Sequence, residues 1–136
     1  MNMGRFATAT VAIFIFVFLF DTLVHGILLI DAYYETPNLW RNEENMLLRM
    51  CYQFALAAWI VFIYNQFYRA GMANALMFGL CLGAFAGILT STWYVWLPVS
   101  AKLAFGWFVS SVIEGLGAGL ILGYIYRNTK IRELVS

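Results

Sequence analysis

Four apolar stretches dominate the chain, at about residues 7–30, 46–68, 72–97 and 103–126. Each is close to or longer than the roughly 20 residues that an α-helix needs to cross the hydrocarbon core of a bilayer. The 136 residues are 63% hydrophobic and only 11% charged, with a mean hydropathy of +0.79. A soluble domain of this size hides only roughly 60–70% of its extended-chain surface on folding, so the bilayer must solvate the remainder. The expectation is an all-α integral membrane protein. It is one domain over residues 1–136, with four transmembrane helices in an antiparallel bundle and an outer loop at 31–45.

The first stretch is too long for a signal-peptide core and no small-residue cleavage site follows it, so it is expected to remain as the first span. Thr36-Pro37-Asn38 should end any extension of that helix near Thr36, because proline disfavours helix at the residue before it. Arg69-Ala70-Gly71 reads as a tight turn between the second and third spans, and Pro98 as the close of the third. The tail from Arg127 reads as short, polar and solvated.

Lysine and arginine set the expected orientation. Arg5, Arg69, Arg127, Lys130 and Arg132 fall on the side of the termini, against Arg41, Arg49 and Lys102 on the other. Positive loops resist translocation, which places both termini in the cytoplasm. Tyr33, Tyr34, Trp40, Trp93, Tyr94 and Trp96 would form an outer aromatic belt, and Tyr68, Tyr124 and Tyr126 an inner one.

Small residues recur every four positions in the last two spans. Gly71, Ala75, Gly79, Gly83 and Gly87 form one row, and Ser111, Gly115, Gly119 and Gly123 form another. Such rows let two backbones approach closely, a main source of association between helices in lipid. The short connection between the two spans predicts that the rows meet in an intramolecular hairpin, with a dimerisation face as the alternative. Cys51 and Cys81 lack C-x-x-C spacing and are expected to be buried free thiols.

Ionisable groups within a span cost roughly 2.5–3.5 kcal/mol each, which makes every one a candidate site residue. Asp21 and His25 stand four apart on one face of the first helix, at a depth similar to Gln53 in the second. Glu114 lies near the middle of the fourth, and Thr90, Ser91, Thr92, Ser110 and Ser111 are nearby polar groups. The terminal-side halves of the spans are almost bare of such residues. The expected site is therefore an outward-facing polar pocket around Asp21, His25, Gln53 and Glu114, serving a ligand or a proton. The structural alternative pairs Asp21 with His25 and sets Arg49 against Asp21 or Glu35, while a protonated Glu114 donates to a neighbouring helix. Any metal would fall at Asp21 and His25, with Glu35 as a further ligand.

The Asp21-x-x-x-His25 pair is similar to part of the copper-ligand motif in one subunit of the membrane-bound copper monooxygenases. That motif continues with a second histidine about a dozen residues on, where this chain has Pro37-Asn38. Small multidrug transporters carry their glutamate in the first helix rather than the fourth, and the quinone-coupled thiol oxidases need paired cysteines. No family follows from these residues.

The leading expectation is a non-enzymatic accessory or assembly subunit of a larger complex in a bacterial inner membrane, motivated in part by aromatic-rich outer faces at Phe14, Phe16, Phe18 and Phe20. The alternatives are a proton-coupled homo-oligomeric transporter and an outward-facing metal-binding protein. No motif calls for a cofactor. The expected partners are the lipid bilayer and other membrane subunits or further copies of the chain. A net charge of +1 gives no reason to expect nucleic acid.

Overall fold

The structure is a computed structural model that describes residues 2–41, 43–67 and 70–127. Tyr68, Arg69, Lys130 and Arg132, which enter the charge and belt arguments, lie outside the described residues, as does the tail beyond Arg127. The described chain is helical: α1 Met3–Leu23, α2 Ile30–Tyr34, α3 Met46–Gln66, α4 Met72–Ser91 and α5 Ala101–Tyr126. A π-helical turn, Val24–Leu28, continues α1. Four of the resulting segments, Met3–Leu28, Met46–Gln66, Met72–Val95 and Ala101–Tyr126, are long and apolar enough to cross a membrane.

Local chemistry explains where these helices begin. Asn2, Asn45 and Ser100 each accept, through a side-chain oxygen, an amide hydrogen three residues on, which satisfies a donor that the first helical turn leaves open. Before α4 the chain turns through Gly71 at φ +112°, a left-handed conformation that glycine adopts without steric cost.

The ends differ in part from expectation. α4 stops at Ser91 and passes into a 3-10 turn, Thr92–Val95, six residues short of the predicted Leu97. Thr90 and Thr92 bond back to the carbonyls of Ala86, Gly87 and Ile88, a habit of threonine that competes with regular helix. The extension after the first span, α2, ends at Tyr34, just before Thr36-Pro37.

The glycine rows meet. A methyl group on Gly83 would lie 2.5 Å from the Ser111 carbonyl oxygen, and one on Gly119 would lie 2.6 Å from that of Ala75. Gly79 faces Gly115, Gly87 faces Phe108, and Gly123 faces Met72 and Ala75. Residue numbers thus fall along α5 as they rise along α4, with backbone against backbone.

α1 lies against both α3 and α5. One core cluster joins Ala9, Ile13 and Val17 of α1 to Ala57, Val61 and Tyr64 of α3, Ala75 of α4, and Ala118 and Leu122 of α5. A smaller one, Val24, Leu29, Ala32, Val99 and Leu103, lies at the opposite end. There Leu29 fills the space over Gly106 and fastens the π-turn to α5.

Two expectations about surfaces are corrected. Cys51 and Cys81 are free but exposed, not buried; on a helix that is apolar on every side, apolar context does not imply an interior position. The four phenylalanines of α1 do not form an outer face. Phe16 packs on Gly117 and stacks with Phe20 at 5.7 Å, and Phe14 meets Phe54 edge-on at 5.7 Å. Phe18 lies beneath the Arg49 guanidinium. The exposed face of α1 is instead aliphatic, carrying Val11, Ile15 and Leu19.

A candidate ligand-binding cleft

Asp21, His25, Gln53 and Glu114 gather at the end of the molecule away from the large core cluster. Asp21 and His25, one turn apart, bring Asp21 Oδ1 within 3.6 Å of His25 Nε2. From α3, Gln53 donates through Nε2 to Asp21 Oδ2 at 2.5 Å. From α5, Glu114 lines the same cleft as Asp21 and His25. The four residues singled out from the sequence therefore lie together around Asp21.

The π-turn helps to aim His25. Its wide loop, closed by a 2.8 Å bond from the Leu29 amide to the Val24 carbonyl, places an extra residue in the turn, a departure from the α-helix that recurs at functional sites. His25 Nδ1 then lies 2.6 Å from the Tyr33 hydroxyl of α2, and Trp107 Nε1 of α5 lies 2.7 Å from the same oxygen. The indole N–H can only donate, so the Tyr33 oxygen accepts from Trp107. The Tyr33 hydroxyl hydrogen is then available to His25 Nδ1, which accepts it. That assignment leaves the histidine hydrogen on Nε2, facing Asp21. Trp107, Tyr33 and His25 are thus linked by hydrogen bonds, and the far side of the imidazole faces Asp21 at 3.6 Å.

Tyr33 sits outside the spans. Burial and the nearby charge of Asp21 push its phenol above the usual 10.0, against the downward pull of the Trp107 bond. It is therefore a neutral donor at neutral pH.

Asp21, His25 and Glu114 line a cleft of about 540 Å³, together with Trp40, Trp93, Leu97, Trp107, Thr90, Ser110 and Ser111. Trp40 stands edge-on to Tyr33 at 4.9 Å and to Trp107 at 6.4 Å. A second cleft, of about 800 Å³, shares Asp21, His25 and Trp40 and is bordered on its far side by Arg41, Glu44 and Arg49. Few polar groups converging on an aromatic, concave wall is the usual character of a small-molecule site.

No family model matches the chain, and no curated protein or solved structure is similar to it. The site must therefore be read from its own chemistry.

Arg49 pairs with Glu44 at 3.0 Å, not with Glu35 or Asp21, and its second nitrogen donates to Thr22. Glu44 has the advantage of proximity: it precedes α3 by two residues and reaches the arginine without crossing between helices. Among the described residues no trio of His, Cys, Asp and Glu stands close enough to hold a metal ion. Glu35 is exposed and caps the end of α2.

The sequence reading assigned Tyr33, Trp40 and Trp93 to the aromatic belt and passed over Trp107. One signal could have found the last. Trp107, Ser111 and Glu114 are spaced four and three apart, so they share a helix face, and an indole N–H within a span needs an acceptor.

Proposed function

We propose that this chain is an integral membrane protein that binds a small molecule in the cleft between α1, α4 and α5. The observation that carries the reading is the convergence of Asp21, His25 and Glu114, from two separate helices, on one aromatic-walled cleft. Ionisable groups placed this way in a span are costly to insert, and a binding role accounts for that cost. The four-span composition and the excess of Lys and Arg beside the termini support an antiparallel bundle in a bacterial inner membrane, with both termini in the cytoplasm. The cleft then opens outward.

Accessory membership in a larger complex draws on exposed apolar surface, including Trp59, Phe85 and Phe105, for which lipid accounts equally well. Transport by a single copy meets an obstacle below Glu114, where Ile13, Val61 and Leu122 are wholly buried.

Cysteine labelling tests the cleft and its orientation together. With Cys51 and Cys81 changed to serine, Ser111→Cys should react with a membrane-impermeant thiol reagent added outside intact cells. Leu120→Cys, exposed on the apolar face of α5, should not. Reaction of Ser111→Cys only in inverted vesicles would reverse the orientation. No reaction from either side would mean that no water-filled cleft exists, and the binding reading would fall.

A further inference from the structure

The charges of the cleft do not balance. Glu114 Oε1 is buried and has no hydrogen-bond partner. The nearest guanidinium, Arg49, is engaged by Glu44 and Thr22 and lies over Phe18. Asp21 is answered by the Gln53 amide and faces His25. Two carboxyls thus stand together in a low-dielectric site without a cation committed to them. The walls beside them are Trp40, Trp93 and Trp107, and indole is the best of the aromatic faces for attracting a positive charge within about 6 Å.

We infer that the cleft takes a monovalent organic cation bearing apolar groups, such as a protonated amine or a quaternary ammonium, held by Asp21 and Glu114 against the tryptophan wall. This rests on the ligand-binding reading above and names the class of ligand. A bare metal ion fits less well, because the described residues supply no third ligand and the indole faces would go unused. An anion would meet two carboxyls, and no arginine or lysine lines this cleft.

The cation takes the place of a proton. Two carboxyls lining one cleft favour sharing a proton, because like charges close together do not both ionise. On binding, that proton leaves to water at the cleft mouth and the ligand's charge replaces it, so the net charge of the site is unchanged. The groups facing the pair are His25 from the π-turn, Gln53 and Arg49 from α3, Tyr33 from α2 and Thr90 from α4. His25 is no fixed cation, since an imidazole is charged only when protonated; a protonated His25 beside Asp21 would oppose the ligand in the same direction as a proton on the carboxyls. Protons and ligand compete, so affinity rises with pH.

The test uses the full chain in lipid nanodiscs, with protein-free nanodiscs as the blank. Benzyltrimethylammonium and benzenesulfonate, two aromatic ions of opposite charge, are titrated by calorimetry and by tryptophan fluorescence. The expected result is at least tenfold tighter binding of the cation, release of about one proton per cation bound in weak buffer, and weaker binding as pH falls. Glu114→Gln should weaken the cation at least tenfold and abolish proton release, whereas Leu120→Ala should leave both unchanged. The wild-type comparison of the two ions stands even if Glu114→Gln fails to fold. Equal or tighter binding of benzenesulfonate would overturn the cation inference and leave the cleft as a site of another class. Binding of neither ion would overturn it as well, and the Ser111→Cys labelling then decides whether the binding reading falls with it.

Discussion

The two ends of this bundle are held together by different physics. Along α4 and α5, glycine against glycine brings backbones into contact, and no side chain stands between Gly79 and Gly115. At the cleft end the same α5 meets the first span and its extension through long side chains: Trp107 to Tyr33, and Leu29 over Gly106. The first contact has no room to give. The second leaves about 540 Å³ open beside the carboxyls. A rigid seam along part of a helix pair lets the remainder stay open without the helices drifting apart, and a stable cleft in lipid requires that combination.

The largest expected effect is therefore on the seam. Gly83→Leu would press its side chain into the Ser111 carbonyl and the backbone of Val112. Overpacking typically costs about 1–3 kcal/mol, occasionally more; with backbone on both sides, the upper end or beyond is expected. Thermal melting in detergent should drop sharply or the protein should fail to purify as a monodisperse species. Gly26→Ala is the paired control. A methyl there meets nothing within 4 Å, so the change should stay within about 1 kcal/mol in either direction. Similar losses for both would mean that the seam is not specially tight.

Smaller effects are expected at the cleft end. Tyr33→Phe strands two groups at once, the Trp107 indole N–H and His25 Nδ1, and should cost about 2 kcal/mol. Trp107→Phe removes a single bond. It should cost about 1 kcal/mol, in the range of roughly 0.6–1.7 kcal/mol found for interhelical bonds in bilayers. The double variant should cost clearly less than the sum, because the two residues share a bond. Strict additivity, measured by melting in the same detergent, would show that the Trp107–Tyr33 bond contributes nothing.

The seam was legible in the sequence because its signal is local. Glycines every four residues on two adjacent spans need only a short turn between them to meet, and Gly71 supplies it. The placement of Asp21 and Gln53 at one depth was legible for a similar reason, since each span measures depth along its own axis. The aromatic half of the cleft was not. Trp40, Trp93 and Trp107 come from three separate segments, and a tryptophan near a span end reads as an interface anchor until its partners are known. Inward and outward faces were equally hidden, as the α1 phenylalanines and the two cysteines show. Where lipid and protein interior are both apolar, hydrophobicity no longer tells a helix which side to bury.

The smallest and most specific effect is the titration of Tyr33. Burial and the Asp21 charge raise its phenol above the usual 10.0, and the Trp107 bond pulls the other way. A group whose folded value is raised gives stability that is complete below its unfolded value and lost as pH rises through the folded one. The cleft end should therefore hold through neutral and mildly alkaline pH and loosen only above about 10, while the glycine seam, which has no titrating group, stays unchanged. Tyrosinate absorbance, compared between wild type and Tyr33→Phe, isolates this one phenol. Trp107→Phe should move the transition up, since it removes the bond that stabilises the phenolate, and Asp21→Asn should move it down. Shifts in these opposite directions require Tyr33 to sit between the indole and the carboxyl as described. A transition at or below 10 in the wild type would place the hydroxyl in water instead, and the Trp107–Tyr33–His25 links would not hold.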